Sequence, residues 1–72
     1  MALPGDRIRL LSMPDDPDPI PAGSTGTVVS VTTGTFAQLE VEWDNGRSLA
    51  LIPGVDQYEI IALANDPTTK QP

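Results

Sequence analysis

"LEVEWDNGRSLAL", residues 39–51, decides the fold that is predicted for this chain. Apolar residues from Leu39 to Trp43 alternate with acidic ones, which predicts a strand with one buried face and one solvated face. The Asn45-Gly46 pair that follows suits a two-residue type I′ turn, because both central residues of that turn have positive φ. Alternation resumes beyond the pair, so the stretch is predicted to form an antiparallel β-hairpin.

Three other runs, at residues 6–13, 24–33 and 58–63, are rich in aliphatic and β-branched residues and are bounded by proline or glycine. Such runs are typical of short strands. With the two hairpin strands they make five, and closing a small sheet into a barrel leaves few edges exposed. The prediction is an all-β, small five-stranded SH3-like barrel at residues 5–63, followed by a disordered polar tail at 64–72.

The alternation also predicts which side chains face the core, with Trp43 among them. Gly26, just before the second strand, predicts a bulge or a close backbone approach. The inward set is predicted to be Ile8, Leu10, Val29, Val31, Leu39, Val41, Trp43, Leu49, Leu51 and Ile60.

The composition restricts the function. Ten acidic residues and four basic ones give a net charge of −6, so nucleic acid and anionic membranes are predicted to be poor partners. The chain has no histidine and no cysteine, so neither the usual general base nor a thiol nucleophile is present. We therefore expect no enzymatic activity and no cofactor. No segment resembles a signal peptide or a membrane span, which favours a cytoplasmic location.

Residues 14–23, PDDPDPIPAG, contain four prolines and three aspartates and predict a stiff, extended loop. SH3-like domains place acidic and aromatic residues beside such a loop to bind proline-rich basic peptides. Asp15, Asp16 and Asp18, with Tyr58 next to them, are therefore the predicted binding residues for a protein partner. The aspartates are also potential calcium ligands, but prolines stand where a calcium loop has its glycine turn, so no metal site is predicted.

A second hypothesis is an oligomeric protein that binds a small anionic ligand such as a nucleotide. Arg7, Arg9 and Arg47 offer bidentate contacts to phosphate, and Trp43 offers a ring that stacks on a base. The alternative interpretation of Arg7 and Arg9 is cross-strand ion pairing with Glu59 or Glu42. Homo-oligomer formation is expected under this hypothesis, and a chain this short also favours it because its core is thin.

Five local motifs point to a known family. They are Gly5-Asp6, Met-Pro-Asp-Asp-Pro at 13–17, Gly-Thr-Val at 26–28, Trp-Asp-Asn-Gly at 43–46 and Pro-Gly-Val-Asp at 53–56. In these motifs the chain resembles the domain-of-unknown-function family 4314, over residues 5–61. The resemblance implies a small β domain of bacterial and phage genomes, and with it an accessory role in a phage or mobile element. It implies no catalytic residue and no cofactor.

Overall fold

The computed structural model describes residues 2–64, so most of the predicted tail, residues 65–72, lies outside the described residues. The chain forms one unclosed antiparallel sheet in the order β3-β2-β1-β4. The strands are β1 (Arg7–Ser12), β2 (Thr25–Thr32), β3 (Gln38–Trp43) and β4 (Gln57–Ala62). The all-β prediction is confirmed.

The second half of the predicted hairpin does not form a regular fifth strand. Residues 47–51, the return arm, lie beside β3, where Leu39 and Leu51 exchange two backbone hydrogen bonds of 2.9 and 2.8 Å. Between the ends of the arm the bond from Leu49 N–H to Val41 O lengthens to 3.3 Å. The arm pairs with β3 through separate bridges, Leu39 with Leu51 and Glu42 with Ser48, and Pro53, which has no N–H to donate, follows it. The sheet has four strands and a paired arm instead of five strands.

The hairpin turn differs from the predicted type I′ turn. Among residues 2–64 positive φ is confined to glycines, and Gly46 has φ of 92°. Asn45 therefore has negative φ, which a type I′ turn excludes. Gly46 N–H donates to Trp43 O at 3.0 Å, and Trp43 N–H donates to Arg47 O at 2.9 Å. The connection is a three-residue loop, in which a type I turn is followed by a left-handed glycine.

The core lies on one face of the sheet. The buried apolar residues are Ala2, Ile8, Leu10, Met13, Ile20, Val28, Leu39, Val41, Trp43 and Leu51. Val31 and Leu49 are half-buried against this cluster. Val31 and Leu49 belong to the predicted inward set. So do six of the buried residues: Ile8, Leu10, Leu39, Val41, Trp43 and Leu51.

The inward prediction was wrong for Val29 and Ile60, whose exposed fractions are 44% and 39%. A register shift between Val28 and Ser30 inserts one extra residue into β2. Because a bulge reverses the alternation, Val28 enters the core and Val29 faces outward. Ile60 lies opposite Ile8, but its strand is the last of the sheet and no further strand formed by residues 2–64 covers it.

Gly26 is a point of close backbone approach, one of the two alternatives that the sequence predicted. A Cβ at this position would lie 2.8 Å from the carbonyl oxygen of Glu42 and 3.0 Å from Cε3 of Trp43. Real Cβ atoms do not approach backbone oxygens so closely, so any larger side chain would separate β2 from β3. Glycine here allows the indole of Trp43 to pack directly against the backbone of β2.

The Asp6 carboxylate joins the segments that precede β1 and follow β4. Oδ2 accepts a hydrogen bond from Leu3 N–H at 2.8 Å, and Oδ1 accepts one from Ala64 N–H at 2.8 Å. The side chain is buried, so neither bond competes freely with water. The Leu3 bond first, and then the Ala64 bond, hold the pKa of the Asp6 carboxyl below its usual value.

Replacing Asp6 with asparagine is expected to lower the free energy of unfolding by about 1–3 kcal/mol at neutral pH, because an amide accepts through only one of its two terminal atoms. The pKa of Asp6 is lower in the folded state than in the unfolded state. Its carboxylate therefore stabilises the fold above about pH 4, and this contribution disappears as the pH falls through the folded pKa.

Urea unfolding of the wild type and Asp6→Asn at a series of pH values tests this expectation. The difference in unfolding free energy is expected to shrink steadily below about pH 4. Asp15→Asn is the control, since this aspartate is exposed and its replacement is expected to change stability by less than about 0.5 kcal/mol. A difference for Asp6→Asn that persists unchanged at low pH would contradict the role of the ionised carboxylate.

Candidate functional site

The Pro-Asp loop, residues 14–21, is held at its base by two buried side chains. Met13 precedes it and is 7% exposed, and Ile20 near its end is 2% exposed. Ile20 N–H also donates to Sδ of Met13 at 3.5 Å. Inside the loop, Oδ1 of Asp16 accepts from Asp18 N–H at 2.8 Å. The loop is therefore an arch with its base in the core.

Arg47 fixes the Pro-Asp loop to the hairpin. Its Nη2 donates to the carbonyl oxygen of Asp18 at 2.9 Å and lies 3.5 Å from the Asp18 carboxylate. Its Nη1 donates to Pro19 O at 3.5 Å. A planar guanidinium that binds several oxygens of one loop restricts that loop strongly. In the structure Arg47 therefore orders the loop.

The structure places the predicted partner-binding residues in two surroundings. Asp15, Asp16 and Asp18 lie together in the loop, and Asp15 and Asp18 are exposed. Tyr58 is half-buried against the core, and its hydroxyl accepts from Ala2 N–H at 3.4 Å. Within the described chain, no hydrogen bond or ion pair joins Tyr58 to the aspartates.

The residues of the alternative anionic-ligand site are also separated. Arg7 makes a bidentate pair with Asp44, at 2.8 and 2.6 Å, and Arg9 pairs with Glu59 at 2.6 Å. The Arg9 pair agrees with the cross-strand interpretation, whereas Arg7 takes a partner that the sequence did not suggest. Trp43 is 3% exposed, and its Nε1 donates to Leu49 O at 3.0 Å. Its ring therefore has no free face on which a base can stack.

The Arg7–Asp44 pair carries the largest electrostatic perturbation among the described residues. Arg7 first, and then the hydroxyl of Thr25 at 2.6 Å from Oδ2, hold the pKa of the Asp44 carboxyl well below its usual range. Asp44 in turn raises the pKa of Arg7. Both side chains are partly exposed, so the ion pair contributes little to the free energy of unfolding. Its main effect is to position the hairpin turn against β1 and β2.

A groove that the sequence did not reveal lies on the outer face of the hairpin. Its volume is about 310 Å³. Residues from β2, β3 and the return arm line it: Val29, Gln38, Glu40, Val41, Glu42, Ser48, Leu49 and Ala50. Because both walls belong to hydrogen-bonded segments, the groove is part of the rigid sheet and not a gap between loops.

The groove exists because small side chains face long ones across the hairpin. Ser48 pairs with Glu42 across the strands, and the Leu39–Leu51 pairing places Ala50 opposite Glu40. A hydroxymethyl and a methyl group leave room beside the two glutamates. The bulge in β2 adds Val29, whose side chain turns outward to this side. The groove lining therefore combines apolar side chains with the two glutamates of β3.

The two groove glutamates are available to a ligand. Oε1 of Glu40 accepts from the hydroxyl of Ser30 at 2.9 Å. The ion pairs found in residues 2–64 engage Asp18, Asp44 and Glu59, and neither Glu40 nor Glu42 takes part in them. Two carboxylates that make no ion pair in residues 2–64 and lie beside apolar side chains favour a ligand that carries positive charge on an aliphatic stem.

In residues 2–64 no group of three or more histidine, cysteine or acidic side chains is arranged to hold a metal ion. The same residues form no helix that is long and apolar enough to cross a membrane.

Comparison with known proteins bears on the family and not on the activity. No curated protein and no solved structure matches the chain. A family model, described as "Domain of unknown function (DUF4314)", matches residues 3–61 and so covers nearly all of the described sheet. The chain therefore belongs to this family of small domains, as the motifs at its turns predicted.

Proposed function

We propose that this domain is a non-enzymatic interaction module whose hairpin groove binds a cationic, extended segment of a protein partner. One observation carries the proposal: a groove lined partly by apolar side chains also contains Glu40 and Glu42, which take part in no ion pair within the described sheet. A lysine or arginine side chain would lay its methylene stem on Val29 or on Ala50 and bring its charge to the carboxylates.

The dimensions and charge of the groove favour a peptide side chain over a metabolite. A volume of about 310 Å³ is at the lower end of the range for small-molecule sites, roughly 300–1,000 Å³. Its glutamates would repel phosphate. The alternative, an oligomeric binder of a small anionic ligand through Arg7, Arg9 and Arg47, stays a separate prediction. It requires each arginine to exchange its present carboxylate partner for the ligand.

The Pro-Asp loop adds a second acidic surface, on the other face of the hairpin from the groove. Arg47, which holds the loop, directly precedes Ser48 of the groove lining, and successive residues of an extended segment face opposite sides. Asp15 and Asp16 would attract a basic partner at long range, and a stiff loop loses little entropy on binding. Binding by Asp15, Asp16, Asp18 and Tyr58 remains part of the proposal, as a contact separate from the groove.

The SH3-like architecture and the biological setting belong to the same proposal. The return arm adds a fifth neighbour to the sheet through its bonds to β3, which supports a barrel-like arrangement of five segments. The family resemblance supports an accessory role in a phage or mobile element. The acidic composition supports a cytoplasmic protein with a basic protein partner.

Nuclear magnetic resonance titration of the full chain tests the groove. The probes are a short peptide of alternating lysine and valine and its matched counterpart with glutamate in place of lysine. The lysine peptide is expected to cause saturable shifts at the amides of Glu40, Glu42, Ser48 and Ala50, and the glutamate peptide is expected to cause none.

Two variants and one control sharpen the test. Glu40→Gln with Glu42→Gln is expected to weaken binding by about 2- to 30-fold, since each exposed pair is worth about 0.2–1 kcal/mol. Ser48→Trp fills the groove without a change of charge and is expected to abolish the shifts. Glu59→Gln, on another strand, is the control. Shifts confined to the Pro-Asp loop, or no saturable response, would refute the groove as the binding site.

A further inference from the structure

The two edges of the sheet are unequal. The return arm covers the outer edge of β3, whereas β4 is the last strand at the opposite edge. β4 contains neither lysine nor proline, the residues that commonly protect an edge. Its end is also apolar at the surface, where Ile60, Ile61 and Leu63 are 39%, 40% and 53% exposed. An edge of this kind is a template for another strand.

Hydrogen-bond alternation shows which backbone groups of β4 point away from β1. Leu10 N–H donates to Ser24 O, and Leu10 O accepts from Gly23 N–H, so the backbone of Leu10 is directed away from β4. In an antiparallel pair successive residues alternate, so Arg9 is directed toward β4 and toward Glu59, its partner in register. The N–H and C=O groups of Tyr58 and Ile60 therefore point outward from the sheet.

The regular part of this edge is short and symmetric. The pairing of β1 with β4 has register shifts between Arg7 and Ile8 and between Leu10 and Ser12. Between them, only Tyr58, Glu59 and Ile60 continue an undisturbed strand. We infer that β4 pairs antiparallel with β4 of a second copy, about a two-fold axis at Glu59. Tyr58 then lies opposite Ile60 of the second copy, and two residue pairs exchange four backbone hydrogen bonds.

The chemistry of the edge fits a second copy. The symmetric pairing brings two Glu59 carboxylates together, and each is already neutralised by Arg9 at 2.6 Å. Ile60 of each copy packs against Tyr58 of the other, which adds apolar burial to a domain with a thin core. Residues 65–72 contain two prolines and no large apolar residue, so their composition does not match the isoleucines.

Sedimentation velocity and native mass spectrometry of the full chain over a range of concentrations test the inference. The wild type is expected to form a concentration-dependent dimer that is weak, because the paired edge is short. Glu59→Lys is expected to raise the dissociation constant by at least about tenfold, since it places four cationic groups at the axis. Mixing the ¹⁵N-labelled variant with the wild type is expected to yield heterodimers, because each axis then pairs opposite charges.

Phe36→Lys is the matched control, since this residue is 85% exposed in the β2–β3 loop and is expected to leave the dimer unchanged. Circular dichroism verifies that each variant remains folded. A wild type that is monomeric at every concentration overturns the inference, as does a dimer that Glu59→Lys does not weaken or a mixture without heterodimers. The groove test is unaffected by any of these outcomes, because the groove lies on β2, β3 and the return arm, at the opposite edge of the sheet from β4.

Discussion

Replacing Trp43 with alanine is expected to lower the free energy of unfolding by about 3–5 kcal/mol. The indole is 3% exposed and packs against Gly26, and its Nε1 donates to Leu49 O. Removing it leaves a cavity and an unpaired carbonyl oxygen. A domain of 72 residues has a stability of roughly 4–11 kcal/mol, so the loss is a large part of the total. Urea unfolding followed by circular dichroism measures it.

Two further aromatic substitutions separate the causes. Trp43→Phe keeps a buried ring and removes the N–H donor, so it is expected to cost about 1–3 kcal/mol. Phe36→Ala removes an aromatic side chain that is 85% exposed and is expected to change stability by less than about 0.5 kcal/mol. An alanine at position 43 that costs no more than the Phe36 variant would show that the indole is not in the core.

Ile20→Ala is expected to cost about 2–5 kcal/mol and to loosen the Pro-Asp loop. Ile20 is 2% exposed although three prolines and three aspartates of the loop precede it. Truncation removes core packing at the base of the arch, while Arg47 continues to hold one side. Urea unfolding measures the stability, and amide hydrogen exchange at residues 15, 16 and 18 measures the loosening.

Ile52→Ala is the matched control, since the same side chain is 51% exposed there. It is expected to change stability by less than about 0.5 kcal/mol and to leave exchange in the loop unaltered. If Ile20→Ala behaves like this control, the loop is not anchored in the core, and the low entropy cost proposed for its partner contacts has no structural basis.

The alternation of apolar and polar residues predicted the buried side chains correctly where strand pairing is regular. In β3 every second residue from Leu39 to Trp43 is buried, as predicted. Alternation failed at Val29, because a bulge needs only one extra residue and leaves no mark in the pattern of apolar side chains. The predicted turn type was wrong for a related reason. An Asn-Gly pair suits more than one loop length, and the pairing of Trp43 with Arg47 selects the three-residue loop.

The candidate site was less predictable than the fold, because it depends on contacts between distant segments. The aspartates of the loop could be recognised from the sequence. The sequence did not indicate that Arg47 binds the backbone carbonyl of Asp18, which lies 29 residues earlier in the chain. The groove depends on the difference in side-chain size between Ser48 and Glu42, which face each other across the hairpin. This pairing can be recognised only when the hairpin register is known. Small residues opposite long acidic ones in a predicted hairpin were the available signal.

The Asp6 carboxylate has a consequence for how the domain can be combined with other proteins. Because one buried side chain holds Leu3 and Ala64 together, the chain enters and leaves the sheet at the same place. A unit with adjacent entry and exit points can be inserted into a surface loop of a host protein without stretching that loop. The domain is thus suited to insertion into surface loops of different host proteins.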